Sequence, residues 1–359
     1  MSAMRNRNWL IVLLLAACGM ARAQWQMQDS HTTADLRGIA NAGGGVAWAS
    51  GTSGTVLRTE DGGYMWQGCA IPPGAEHLDF RGVQAFDANT AIVMSSGKGD
   101  LSRLYKTTDG CRSWKLVFTN PDLDGFWDAI AASGKELMIL GDPIAGSFVI
   151  EYSEDGGLHW TRYGHLPPSL WNEGGFAASN SALLSDWDAG IVLFGTGGPK
   201  GARLFTRCDP CTDKPFDQES WDVQRMPMFG SGNSTGIFSI SLRTLGGVWK
   251  YVAVGGDYSK PSLAGLAAYS ESWLKWRAAT TPPHGYRSAV AYNDATKNWI
   301  TVGPNGTDVS TDDGKNWQAV HPDPELHEAP DADRNWNALS LPFVVGPKGR
   351  IGKLDRTHF

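Results

Sequence analysis

The sequence predicts an all-β chain wound into a seven-bladed β-propeller, with the ring closed by the N-terminal strand. Three observations carry that expectation: a turn signature ending in Trp that recurs along the chain, seven short strand openings that align, and a length that divides evenly by the unit.

Composition sets the outer bounds. The chain has 359 residues, 42% of them hydrophobic and 19% charged, with 44 Gly and 16 Trp, which is enough apolar material to bury a core. Lys and Arg number 31 against 37 Asp and Glu, a net charge of −6, and no basic run lies beyond the first residues. Nucleic acid is therefore excluded as an expected partner, because phosphate-backbone binding needs a clustered positive surface. The one apolar run approaching membrane length is short and N-terminal, which excludes a multi-span channel or transporter.

That run belongs to an export signal over residues 1–23. Arg5 and Arg7 precede the apolar stretch from Trp9 to Ala17, and small residues follow to Ala23. Two processing sites stay open. Leu15-Ala16-Ala17-Cys18 has the form of a bacterial lipobox, which would lipidate Cys18, and Ala21-Arg22-Ala23 suits ordinary cleavage before Gln24. Cleavage after Ala23 removes three arginines and no acid, taking the charge from −6 to −9. The expected location is outside the cytoplasm, either periplasmic or lipid-anchored to a bacterial membrane. Residues 24–359 form the propeller.

The turn signature is a hydroxyl residue, an Asp two positions on, a Gly, and then a Trp. It occurs at Thr59 to Trp66, Thr107 to Trp114, Ser153 to Trp160 and Ser310 to Trp317, with Asp61, Asp109, Asp155 and Asp312 as its acids. Degenerate copies run from Thr206 to Trp221 and from Ser270 to Trp276, giving Trp-to-Trp steps of 48, 46, 61, 55 and 41. A side chain needed once per repeat serves the repeat. The Asp and hydroxyl are expected to bond backbone groups inside a hairpin, the Gly to supply positive φ, and the Trp to pack over the hinge.

Each signature follows an alternating strand after a Gly-rich turn, such as Gly51 to Arg58, and turn signals recur every 8 to 12 residues. The openings are Leu36-Arg37-Gly38-Ile39, Phe80-Arg81-Gly82-Val83, Trp127-Asp128-Ala129-Ile130, Glu173-Gly174-Gly175-Phe176, Ser234-Thr235-Gly236-Ile237, Tyr286-Arg287-Ser288-Ala289 and Trp336-Asn337-Ala338-Leu339. The mature chain of 336 residues divided among seven units gives 48 each. The last unit is too short for four strands, and Trp25-Gln26-Met27-Gln28 alternates like a strand before the first. The N-terminal strand is expected to complete blade 7 and remove the open edges.

The spacing from Gly51 to Trp66, G-x-x-G-x-V-x-x-T-x-D-G-G-x-x-W, resembles the BNR/Asp-box repeat proteins, and more narrowly the photosystem II stability and assembly factor family. The resemblance implies an exported or lumenal seven-bladed scaffold without catalytic residues or cofactor. Such a scaffold holds a partner polypeptide on an arginine-lined patch. Arg37, Arg81 and Arg287 match repeat-leading arginine positions, while the insertion at residues 208–218 and the acidic loop at residues 321–333 depart from a minimal propeller.

In ring order the openings would bring Arg287, Asn337, Arg37 and Arg81 into one sector of the central mouth, with Asp128 and Glu173 beside them. That cluster is expected to bind a carboxylate-bearing protein or peptide, in one form a segment of a membrane protein, with the propeller monomeric and the membrane touched only through a lipid anchor. The competing interpretation is that the arginines serve blade carbonyls or the two carboxylates. A second function stays open: a sialidase-like or β-glucan-active glycoside hydrolase using mouth carboxylates, with Tyr286 among the candidate groups.

Other chemistry finds little support. Gly232-Asn233-Ser234-Thr235-Gly236 fits GxSxG but runs into a strand rather than a helix. His321 and His327 share an acidic loop, for which a solvated surface is expected rather than a metal site. With Cys18 in the leader, four cysteines remain. Cys208 and Cys211 are expected to form a local disulfide, and Cys69 to pair with Cys111 because they fall at adjacent blades.

Overall fold

The computed structural model describes residues 25–186, 190–208, 221–272, 274–326 and 328–354. The leader, Cys18, Cys211 and His327 lie outside the described residues. Within them the chain is almost wholly strand and turn, gathered into seven antiparallel sheets, each a blade.

Blades 1, 2, 3 and 6 are built from consecutive strands, whereas Gly197–Gly198 leaves the run of blade 4 to pair with the innermost strand of blade 5. Blade 1 runs Leu36–Gly43, Val46–Gly51, Val56–Thr59 and Gln67–Gly68, and blades 2, 3 and 6 repeat that order from Phe80–Ala85, Trp127–Ser133 and Ala289–Asn293. Blade 7 supplies only Ala338–Ser340, Phe343–Val345 and Ile351–Leu354, and Trp25–Gln28 pairs with the last of these, Trp25 opposite Leu354. The N-terminal strand closes the ring. Strand alternation sends the four Asp-box turns, between third and fourth strands, to one face, while the starts of the innermost strands surround the mouth on the other.

The four boxes share one hydrogen-bond scheme. In blade 1, Thr59 Oγ1 donates to Asp61 Oδ1 at 2.9 Å and accepts from the Gly63 N–H at 2.9 Å, and Asp61 Oδ1 accepts from the Met65 N–H at 3.0 Å. Blades 2, 3 and 6 repeat it with Thr107 and Asp109, Ser153 and Asp155, and Ser310 and Asp312. Because these bonds favour the ionised form, the Ser113 hydroxyl with the Ser113 and Arg112 N–H groups and the Thr107 hydroxyl hold Asp109 down at about 2.

Each box also leans on the blade before it. A Cβ on Gly63 would stand 2.8 Å from Phe343 of blade 7, and one on Gly157 would stand 2.7 Å from Ile92 of blade 2, so Gly is needed at those two seams, while Cys111 holds the matching position in blade 2. Cations reach the same way. Lys353 Nζ donates to Gly62 O at 2.6 Å and Lys106 Nζ to Gly156 O at 2.7 Å, each joining one blade to the next. The Trp rings close the seams: Trp66 packs edge-on against Phe343 with centroids 5.5 Å apart, and its Nε1 donates to Gln28 Oε1 at 2.9 Å.

A disulfide joins Cys69, after the outer strand of blade 1, to Cys111 in the box turn of blade 2, across 42 residues. Cys208 is itself disulfide-bonded. Gly232–Leu245 is one continuous strand, so Ser234 sits on no strand-to-helix turn. Among the described residues no group of three His, Cys, Asp or Glu is placed to hold a metal ion.

The fourth opening corrects the sequence reading. Glu173 to Phe176 is not the innermost strand of blade 4, which runs Leu183–Asp186. Residues 177–182 instead cross the central axis. Ala177 O accepts from Arg81 NH1 of blade 2 at 3.1 Å, Asn180 Oδ1 accepts from Ile130 N of blade 3 at 2.7 Å, and Ser179 Oγ donates to Ser288 O beside blade 6 at 2.6 Å. The run Ala177-Ala178-Ser179-Asn180-Ser181-Ala182 is small and polar enough to fill a narrow channel while satisfying its own backbone. It plugs the axis and turns the channel into a cup.

Trp66 is 2% exposed whereas Trp160 is half-buried, so the two box tryptophans are not equivalent. Trp66→Ala should cost about 3–5 kcal/mol in urea denaturation, and Trp160→Ala clearly less. Equal losses would remove the seam assignment.

Candidate functional site at the propeller mouth

A cavity of about 450 Å³ opens at the mouth above the plug. Its walls come from the starts of innermost strands and the loops between blades. Arg37, Arg81, Asp128 and Asn337 line it, together with Asp142 and a wall of rings that includes Phe176, Phe238, Tyr258 and Tyr286.

One side is cationic. Arg81 Nε donates to Asp79 Oδ2 at 2.8 Å, and Arg37 Nε stands 3.6 Å from Asp79 Oδ1, outside hydrogen-bond range. Two guanidinium groups thus share one carboxylate. Arg37 Nε is buried and makes no hydrogen bond among the described residues. Asn337 is spent on the ring, its Nδ2 donating to Leu36 O at 2.8 Å.

The other side is acidic. Asp128 is 2% exposed, and its Oδ2 accepts no hydrogen bond among the described residues. Asp142 Oδ1 accepts from the Gly175 N–H at 3.0 Å. The Gly174-Gly175 backbone is pressed against both acids: a Cβ on Gly174 would lie 2.9 Å from Asp142 Oδ1, and one on Gly175 would lie 2.6 Å from Asp128 Oδ2. Burial pushes the Asp128 carboxyl well above the ordinary range, the Asp142 charge pushes it further, and Arg81 opposes. Burial raises Asp142 to about 6, against the Gly175 hydrogen bond.

The rings are mutually braced. Phe176 stacks on Phe238 with centroids 3.9 Å apart, and Tyr286 meets Phe238 edge-on at 4.8 Å. Tyr258 is 54% exposed at the rim.

Two of the six residues expected at the mouth turn away from it. Arg287 is fully buried inside blade 6, where Nε donates to Asp308 Oδ2 at 2.7 Å and NH1 to Asn305 Oδ1 at 2.7 Å. Glu173 borders a neighbouring cavity of about 580 Å³, but its carboxylate accepts from Arg203 Nε at 2.8 Å, Thr196 Oγ1 at 2.6 Å and Leu170 N at 2.8 Å. For these two the internal pairing wins, because a buried charge keeps whatever partner spares it desolvation. Sequence reading missed both Asp79 and Asp142. The signal for Asp142 was an Asp-Pro pair ending an otherwise apolar strand, Glu136–Ile144.

Fold and mouth together define a BNR β-propeller with a plugged, charged cup at one end of its axis. Comparison with known proteins narrows the class: residues 18–165 match the family described as photosynthesis system II assembly factor YCF48. The chain is 26% identical over 313 residues to the photosystem II assembly lipoprotein Ycf48 of Picosynechococcus sp., covering 75% of this chain and 83% of that one. Among solved structures it is similar to YCF48 bound to D1 peptide, at 18% identity and a TM-score of 0.61, covering 93% of this chain and 99% of that one. It is also similar in fold to the GH74 xyloglucanase of Xanthomonas campestris, at 15% identity and a TM-score of 0.62, covering 94% of this chain and 54% of that one. The protein is a seven-bladed β-propeller with Asp-box hairpins, similar to the photosystem II assembly factor propellers.

A raised carboxyl pKa means that the acid resists ionising in the folded state. Its contribution to stability is present below the unfolded pKa of 3.8 and is lost as pH rises through about 6. Asp142→Asn should therefore raise Tm at pH 8, by on the order of 1 kcal/mol in stability, and leave it unchanged at pH 3.5. Thermal melts at the two pH values check this, and an equal shift at both would contradict it.

Proposed function

We propose that the protein is a non-enzymatic scaffold whose mouth holds a carboxylate-bearing segment of a partner polypeptide. The observation that carries this reading is the shared carboxylate: Arg37 and Arg81 lie half-buried in a cavity with only Asp79 between them, one positive charge in surplus. Guanidinium forks suit bidentate capture of carboxylates, and partial desolvation strengthens that capture over exposed pairs. The relative solved with D1 peptide supports a polypeptide ligand.

The glycoside hydrolase alternative is not favoured. Glu173, one of its candidate carboxylates, is locked to Arg203, and burial pushes the Tyr286 phenol far above its usual range, away from nucleophilic use. The xyloglucanase likeness carries the fold alone.

The leader over residues 1–23 and the lipoprotein relative support an exported propeller spanning residues 24–359, lipid-anchored through Cys18 or free in the periplasm. It works as a monomer, on a partner that includes a membrane-protein segment. Labelling with a palmitate analogue should mark the wild type and not Cys18→Ser, and absence of label from both would leave a free periplasmic protein.

The mouth is tested by titrating D1 peptide of the kind the relative holds into wild type and Arg37→Ala/Arg81→Ala, after circular dichroism shows that both fold. The double variant should bind about tenfold weaker or worse, with a flatter salt dependence. Unchanged affinity would sink the reading.

A further inference from the structure

The acidic wall of the cup has no role in capturing a carboxylate; by charge it would oppose it. Asp128 and Asp142 face the cavity, and among the described residues no guanidinium or ammonium is hydrogen-bonded to either. The neighbouring charges are accounted for. Arg37 and Arg81 bracket Asp79, with Arg81 also near enough to favour the Asp128 charge, Glu173 is held by Arg203, and Asp124 at the rim of the adjoining cavity pairs with Lys98 at 2.7 Å. The Gly175 N–H bonds only Asp142 Oδ1, which leaves Asp128 Oδ2 buried without a donor. An acceptor so placed costs desolvation energy that Arg81 offsets only through its charge and that no hydrogen bond from the described residues returns.

Building on the proposed function, we infer that the segment held in the mouth is dipolar: its carboxylate meets Arg37 and Arg81, while a neighbouring lysine side chain reaches Asp128 and Asp142. The charge inventory fits. The arginine side carries one surplus positive charge, and the acid pair, where repulsion and burial keep one carboxyl protonated, carries one negative charge. The aromatic lining of the same cavity suits a lysine stem. The Phe176 and Phe238 stack and the Tyr258 and Tyr286 rings offer apolar faces to the methylenes and π-clouds to the ammonium. A lysine bound there would also lower the pKa of both acids, since an opposite charge favours their ionised forms.

The test uses the full chain and an acetylated hexapeptide, Gly-Gly-Ala-Ala-Lys-Ala, with a free C-terminal carboxylate. It is compared with the same peptide carrying norleucine for lysine and with its C-terminal amide. At pH 7.5 wild type should bind the lysine peptide about tenfold tighter than the norleucine peptide. At pH 5, where Asp142 lies below its pKa, that preference should fall to about threefold or less. In Asp142→Asn, whose side-chain oxygen can still accept from Gly175, the two peptides should bind alike. Equal binding of both peptides by wild type at pH 7.5 overturns the inference, as does a preference that survives in Asp142→Asn. If lysine makes no difference but the amide peptide or Arg37→Ala/Arg81→Ala binds weaker, the inference alone fails. If neither the free carboxylate nor the two arginines matter, or no peptide binds, the proposed function fails with it.

Discussion

The seam between neighbouring blades is the interaction on which the rest of the structure depends. A four-stranded sheet cannot bury both faces by itself, so each blade is stable only while two others cover it. The Asp-box makes that covering specific. Its hydroxyl and carboxylate hold a turn rigid from within, its Gly lets the turn press on the blade before it, and a cation from that blade holds the turn by a carbonyl, as Lys353 does at Gly62 and Lys106 at Gly156. At the blade 6 box the cation of the preceding blade takes a side chain instead. Arg243 of blade 5 reaches Asp313 of blade 6 at 2.7 Å, a carboxylate in place of a carbonyl.

Rigid seams are what allow a binding cup to be assembled from residues distant in sequence. Arg37, Arg81, Asp128 and Asn337 come from four blades and meet only because the ring fixes their angles. The plug at residues 177–182 supplies the floor. Without it the axis would be a water-filled channel and the carboxylates would be solvated, with no reason for Asp142 to hold its proton to about 6. The electrostatic character of the mouth therefore depends on a run of small residues that carry no charge.

The blades were legible because their signal is local: a hydroxyl, an Asp, a Gly and a Trp within eight positions announce a hairpin whatever surrounds it. The mouth was legible only in part. Arg81 and Arg287 both follow an aromatic residue at the start of an opening, and nothing local separates them. The difference lies in the third strand of each blade. Gly306–Ser310 carries Asp308 facing inward, whereas the matching stretch of blade 2 offers Leu104 and Tyr105. Asp308 folds Arg287 back into blade 6, and Arg81 is left to the cavity. An acid inside an apolar alternation was the available clue. Phe176 failed differently: the Gly-Gly before it imitates an opening, but that pair exists to let backbone lie against two carboxylates.

Pairing Trp25–Gln28 with Ile351–Leu354 has a consequence for how the molecule comes into being. The first strand to emerge from a ribosome or a translocation pore finds its partner only after nearly the whole chain has followed. Until then blade 7 lacks its outer strand and the ring stands open, with exposed edges able to pair with other chains. Blades 1 to 6 can collapse in order behind the moving chain, because each is local in sequence, but the final step is a contact between opposite ends and is slow by topology. The same strand that seals the finished ring thus makes vectorial delivery the hazardous phase of this protein's life, and losing Trp25–Gln28 or Ile351–Leu354 would leave the ring open.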